Sequence, residues 1–184
     1  MLAWNDVKAE FAWEGSLRDI CVRDASLNDW KLVLDVLRRE QFSTEFKVAG
    51  SRTELPEQVS DMFPQTADDP SRMLSVDTAG VRLNCHFFDE NEIEFDLDPR
   101  EIGGQAQLDA VIAFMKTIAC ATGKPALMTP ENMHEHAFIR VNPSGISEYI
   151  SSEGFLEAMR GVRVARHPRP VARRAELRKG RGEY

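Results

Sequence analysis

Residues 81–98, VRLNCHFFDENEIEFDLD, constrain the fold most strongly, because apolar and polar side chains alternate along both halves of the stretch. Alternation with a period of two predicts a pair of β-strands, each with one buried and one solvated face. Asp89, Glu90 and Asn91 form the predicted hairpin loop, in which Asn91 suits the left-handed position. A slip of one residue would exchange the two faces, so the pattern favours a single register.

The predicted register pairs residues of like polarity across the hairpin. The apolar pairs are Phe87 with Ile93, Cys85 with Phe95, and Leu83 with Leu97. The polar pairs are His86 with Glu94, Asn84 with Asp96, and Arg82 with Asp98. A further strand, RMLSVD, precedes the hairpin, and we expect a loop at residues 77–80 to place Val76 opposite Val81.

Four carboxylates occupy alternate positions along the second arm, so they share one face about 7 Å apart. They are Glu92, Glu94, Asp96 and Asp98. Three interpretations are open: a solvated outer face, a docking face for a basic partner protein, and a metal or acid–base site that uses His86. Neighbours on an open strand project in parallel rather than converging, which argues against the third interpretation. The predicted partner-binding residues are the four carboxylates and His86.

Two helices are predicted outside this hairpin. Ser26 is the expected N-cap of the first, and Asp29, three residues later, completes a variant of the capping box. The second runs from about Gln105 to Thr122 with a broad apolar stripe, and Gly123 suits the position that follows a helix. Both helices are therefore expected to face the core.

The predicted elements follow the order β-α-β-β-β-β-α, with one or two short strands and a helix within residues 146–161 after them. An antiparallel meander with two main helices on one face is an α+β fold. This order resembles the TATA-binding-protein-like arrangement at the level of topology. We expect residues 1–160 to form one such domain and residues 161–184 to form a basic, flexible tail.

The formal charge of −7 conceals an acidic body and a basic end. The first 159 residues carry 14 basic and 28 acidic side chains, whereas the residues from Arg160 onward carry nine basic and two acidic ones. The basic end offers contacts to nucleic-acid phosphates. It has no aromatic residue before Tyr184 to stack on a base, so nucleic acid is the less favoured partner.

Composition also predicts the compartment. The start, MLAWNDVKAEF, has two acidic residues and no apolar run, unlike a signal peptide. The longest apolar run, AVIAFM, is too short to cross a membrane. Cys21, Cys85 and Cys120 lack metal-like spacing. Buried, reduced thiols in a cytoplasmic protein without membrane contact are therefore expected.

His134 and His136 form an HxH motif, which in a strand would place both rings on one face. Zinc and copper sites use this spacing, but no convincing third ligand follows in the sequence. GxSxG, HExxH, SxxK and CxxC motifs are absent. We predict no catalytic residue, no metal and no cofactor; the alternative is a small metal-dependent or hydrolytic enzyme around His86, Glu94, His134 and His136.

Two stretches resemble small uncharacterised bacterial proteins related to toxin-immunity proteins. They are residues 80–99, GVRLNCHFFDENEIEFDLDP, and residues 123–133, GKPALMTPENM, with the helix before the second. The resemblance implies a non-catalytic, acidic protein that caps a basic toxin in a stoichiometric complex. It defines no motif from which a functional residue can be assigned.

Overall fold

A computed structural model describes residues 2–39, 42–66 and 68–150, and the strands among these residues form one antiparallel sheet. The strands are β1 (Arg18–Arg23), β2 (Ser43–Val48), β3 (Ser51–Thr53), β4 (Arg72–Thr78), β5 (Val81–Cys85), β6 (Glu92–Leu97), β7 (Ala126–Pro130), β8 (Ile139–Val141) and β9 (Ser147–Tyr149). Their order across the sheet is β3-β2-β4-β5-β6-β1-β7-β8-β9. The α-helices are α1 (Trp4–Val7), α2 (Leu27–Arg39) and α3 (Gln105–Thr122). The predicted α+β class with an antiparallel sheet is confirmed.

The apolar stripes of α2 and α3 share one core with alternate residues of the strands. Trp30 and Leu34 of α2 and Leu108 of α3 are each at most 1% exposed. The predicted capping box holds the start of α2: the amide of Ser26 donates to Asp29 Oδ2 at 2.8 Å, and the amide of Asp29 donates to Ser26 Oγ at 3.3 Å. Residues of opposite parity lie on the other face of the sheet, called here the outer face.

Two of the predicted pairs of the hairpin are confirmed, and its predicted tip is wrong. Leu83 pairs with Leu97 and Asn84 with Asp96, as expected. Near the turn, however, Asp89 bridges Glu92, which leaves a two-residue turn and one extra residue on the first arm. The backbone N–H of Ala25 and the indole of Trp30 donate to carbonyls of residues 91 and 90, at 2.8 and 3.0 Å. These long-range hydrogen bonds fix the conformation of the tip. The alternation of apolar and polar residues within the hairpin could not predict them.

The loop between β4 and β5 is two residues shorter than predicted. Thr78 pairs with Val81, and Ala79 and Gly80 form the turn with φ angles of 51° and 81°. A shift of two residues preserves the faces, so the predicted buried set is unchanged. An equivalent turn at Ala49 and Gly50 adds β3, a strand that the sequence did not predict.

The C-terminal end of the described region also departs from expectation. Residues 147–149 form strand β9, where a terminal helix was predicted. The remainder of that predicted helix, residues 151–161, and the basic tail at 161–184 lie outside the described residues, as does the predicted domain boundary at residue 160. Within the described ranges, no helix is long and apolar enough to cross a membrane.

Candidate functional site

Strand β1 lies in the middle of the sheet and brings three polar residues against the acidic row of β6. Cys21 pairs with Glu94, Arg23 with Glu92, and Asp19 with Asp96. Because cross-strand partners share a face, all six side chains belong to the outer face. The sequence expectation had set only the residues of β5 opposite the acidic row.

The connection between β7 and β8, residues 131–138, folds over the outer face of β1 and is called here the covering loop. The amide of Asn132 donates to Asp19 Oδ2 at 2.9 Å, and the amide of Leu17 donates to Glu131 Oε2 at 3.0 Å. The guanidinium of Arg23 donates to the carbonyl oxygen of His134. The loop is thereby tied to both ends of β1, and Cys21 between them is fully buried.

The side chains of Cys21, Glu92, Glu94 and His134 meet beneath this loop and are called here the Cys–His–Glu cluster. His134 Nδ1 lies 3.4 Å from Cys21 Sγ and 3.6 Å from Glu92 Oε1. One ligand atom each of Cys21, Glu94 and His134 lie within 4.8 Å of one another. Glu92 is 7% exposed, so the acidic row is partly buried, which disagrees with the interpretation of this row as a solvated outer face.

The thiol of Cys21 is not an activated nucleophile in this environment. Burial raises its pKa well above the ordinary value, and the neighbouring carboxylates of Glu92, Glu94 and Asp19 raise it further. The cation of Arg23 opposes them with a smaller effect. At neutral pH the side chain is therefore a protonated thiol, and the contact with His134 does not make a cysteine–histidine catalytic pair.

A row of hydrogen-bonded polar side chains crosses the outer face beside the cluster. Ser75 Oγ donates to Asn84 Oδ1 at 2.9 Å, and Asn84 Nδ2 donates to Asp96 Oδ1 at 3.2 Å. His86 Nε2 lies 3.4 Å from Asp96 Oδ2, rather than facing Glu94 as predicted. The ring of Phe88 stacks on His86 with centroids 5.4 Å apart, and 46% of Phe88 remains exposed.

The other predicted site residues are separated from the cluster. Asp98 caps the 3₁₀ turn at Pro99–Glu101 and binds Arg100, with 2.6 Å between Asp98 Oδ2 and Arg100 Nη2. His134 and His136 do not share a strand face, because both lie in the covering loop, where His136 is exposed. The structure therefore joins Glu94 to His134 but adds neither His86 nor His136.

Sequence reasoning missed Cys21, the residue at the centre of the cluster. Cys21 lies between Ile20 and Val22 in a predicted strand, so the alternation assigns it to the polar face of the sheet. This assignment is the one indication in the sequence that Cys21 belongs to a polar cluster. The partners of Cys21 come from β6 and from a loop more than 100 residues away, so no local pattern identifies them. Only the position of β1 between β6 and β7 brings them together.

Two cavities of the described region bear on this chemistry. The depression lined by Glu92, Glu94 and Phe88 has a volume of about 20 Å³, enough for about one water molecule. A larger cavity of about 410 Å³ lies at the β2–β3 edge. Its acidic lining residues are Glu45 and Glu54, and Glu45 is paired with Lys47 at 2.6 Å. Neither cavity combines room for a substrate with the cluster.

No protein-family model, no curated protein and no solved structure matches the chain.

Proposed function

We propose that the protein is a non-catalytic binding protein of the immunity-protein kind, which holds a basic partner protein against its outer face. One observation carries this proposal: two large apolar side chains, Phe88 and Met133, are each 46% exposed beside the acidic residues of β6 and the covering loop. Phe88 lines the depression at Glu92 and Glu94, and Met133 precedes His134 of the cluster.

This surface has the composition of a protein-binding site. Exposed aromatic and methionine side chains are typical anchors of interfaces, and charged residues around them form the rim. Here the rim is acidic, with Asp89, Glu90 and Glu135 exposed. A rim of one sign steers a partner of opposite charge and accelerates association. A basic protein is therefore the partner that fits this face.

Substitution of exposed rim residues tests the proposal without touching the buried cluster. Tagged protein is first used to retrieve a partner from cell extract, and the retrieved protein is then purified for kinetic measurements. Glu90→Lys combined with Glu135→Lys should slow its association at least about tenfold at low salt, and the difference should shrink as salt rises.

The matched control is Glu54→Lys combined with Glu57→Lys, two exposed acidic residues between β3 and the 3₁₀ turn at Val59–Met62. It changes the net charge equally and should leave association nearly unchanged. Equal slowing by both pairs of substitutions would show that only the net charge of the protein matters. Unchanged association in the rim variant would refute the outer face as the binding site.

The alternative is the small metal-dependent or hydrolytic enzyme with a site around His86, Glu94, His134 and His136. In its favour, Glu94 and His134 lie in one cluster. Against it, His86 is engaged with Asp96 and the adjoining depression holds about one water molecule. Turnover of a generic ester or phosphoester that is lost in His134→Gln would favour the enzyme.

Three other predictions from the sequence concern the location, the topology and nucleic-acid binding, and none of them supports the proposed function. A cytoplasmic location and the TATA-binding-protein-like topology stay predictions, and shared topology carries no function by itself. Nucleic-acid binding would use the basic end after residue 160, outside the described residues. Steep salt dependence of binding, lost on removal of residues 161–184, would identify that mode.

A further inference from the structure

Two distances from His134 in the Cys–His–Glu cluster match the spacing of ligands around a tetrahedral zinc ion. Zinc bonds of about 2.0–2.3 Å at tetrahedral angles place neighbouring ligand atoms about 3.3–3.6 Å apart. His134 Nδ1 lies 3.4 Å from Cys21 Sγ and 3.6 Å from Glu92 Oε1. The ligand atoms of Cys21, Glu94 and His134 lie within 4.8 Å of one another, so small side-chain adjustments would bring them to the separation that coordination requires.

The charges around the cluster favour a divalent cation. Asp19, Glu92 and Glu94 bring three carboxylates to the covered part of the outer face, where Asp19 is fully buried and Glu92 is 7% exposed. Arg23 is the cation that β1 contributes beside them. Buried charge of one sign is costly, and a bound dication would reduce that cost. Sulfur and imidazole donors select zinc over magnesium or calcium.

We propose that the Cys–His–Glu cluster binds one Zn²⁺ ion in a closed structural site that holds the covering loop against the sheet. The ligands come from three separate parts of the chain: Cys21 from β1, Glu92 and Glu94 from β6, and His134 from the covering loop. Cys21, Glu94 and His134 supply three ligands, and Glu92, whose Oε1 lies 3.6 Å from His134 Nδ1, supplies the fourth once the ion draws the side chains together. A site with four protein ligands has no open position for a substrate, which is the arrangement of structural zinc. Binding breaks the S–H bond of Cys21, and the proton leaves to solvent as the zinc–sulfur bond forms.

This proposal is independent of the proposed partner and reverses the sequence-based prediction of no metal. That prediction rested on the lack of a third ligand near His134 and His136. The fold provides Cys21 and the carboxylates of β6 instead, and it leaves His136 exposed on the covering loop.

Cobalt and zinc titration of the full chain tests the site. The protein is stripped with a chelator, its fold is checked by circular dichroism, and Co²⁺ is added. We expect one equivalent to bind with a thiolate-to-cobalt charge-transfer band, and Zn²⁺ to displace it. Cys21→Ser should abolish the band, and His134→Gln should weaken zinc binding at least about 100-fold.

Matched controls separate this site from adventitious metal. Cys120→Ser removes an exposed thiol of α3, and His136→Gln removes the neighbouring histidine of the covering loop. Both variants should retain the charge-transfer band and the zinc affinity. Should Cys21→Ser fail to fold, the band of the wild type and of Cys120→Ser decides the question. The proposal is overturned if no thiolate band forms, or if Cys120→Ser or His136→Gln abolishes binding.

Discussion

At the scale of single residues, Asp29 links the start of α2 to Lys124, the second residue after the end of α3. Its Oδ2 accepts hydrogen bonds from Ser26 and from Lys124 Nζ, the latter at 2.7 Å. Burial alone would raise the pKa of Asp29, but the hydrogen bonds from Lys124 and Ser26 hold it below its usual value. The ionised carboxylate is therefore the form that the fold favours.

Asp29→Asn should lower the free energy of unfolding at pH 7 by about 1–2 kcal/mol, in the range of a lost helix cap. Because the folded-state pKa lies below the unfolded value of about 3.9, the stabilisation is present above that value and is lost as pH falls through the folded-state pKa. Urea unfolding at pH 7 and pH 3 measures the loss of stability in the variant and its decrease in acid. Asp35→Asn, at an exposed ion pair with Lys31, is the control and should cost less. A difference that does not shrink in acid would contradict the assignment.

Phe95 tests which face of the hairpin is buried. It is fully buried and meets the ring of Phe114 with centroids 5.0 Å apart. Phe95→Ala should cost about 3–5 kcal/mol in chemical denaturation, since it leaves a cavity in the core. Phe88→Ala, which removes a half-exposed ring, should cost far less. A loss below about 1 kcal/mol for Phe95→Ala would place this residue outside the core.

At the scale of elements, two hairpins share the same strained turn. Ala49 and Ala79 have φ angles of 50° and 51°, and each is followed by a glycine with positive φ. A left-handed conformation costs an alanine about 1–2 kcal/mol, whereas asparagine adopts it more readily. The sequence did not predict these turns because alanine has no preference for the left-handed conformation.

We expect Ala79→Asn to raise the free energy of unfolding by about 0.5–1 kcal/mol, because asparagine relieves the strain of this turn. Ala49→Asn at the equivalent turn should act in the same direction. Both positions are exposed, so no packing changes accompany the substitutions. Urea denaturation of the two variants and of their combination measures the effect. Destabilisation by both substitutions would refute the left-handed conformation of Ala49 and Ala79.

The elements that the sequence predicted are those whose cause is local. The alternation in 81–98 predicted the buried face of the hairpin, and Ser26 with Asp29 predicted the start of α2, because each pattern lies within one element. The tip of the hairpin depends on Trp30, and β3 depends on the turn at Ala49. The cluster depends on β1 lying between β6 and β7, a choice that no local pattern encodes.

At the scale of the whole molecule, the described residues already form the sheet and its core. We therefore expect truncation after Gly161 to leave the thermal midpoint within about 2 °C of the full chain, a change of less than about 1 kcal/mol. Differential scanning calorimetry of the two proteins makes the comparison. A larger fall would show that Val162, Val164, Val171 or Leu177 contributes to the core.

The central position of β1 also sets the order in which the chain can complete its sheet. Cys21 pairs with Glu94 on one side and with Leu127 on the other, so both pairings join residues more than 70 positions apart in the sequence. Such non-local pairing raises the contact order and slows folding, because loop-closure entropy is lost before the contacts form. During synthesis, β1 is made before both of its partner strands, residues 92–97 and residues 126–130. Its two edges stay open for that interval, and it is the strand through which a nascent copy of this chain is most exposed to mispairing.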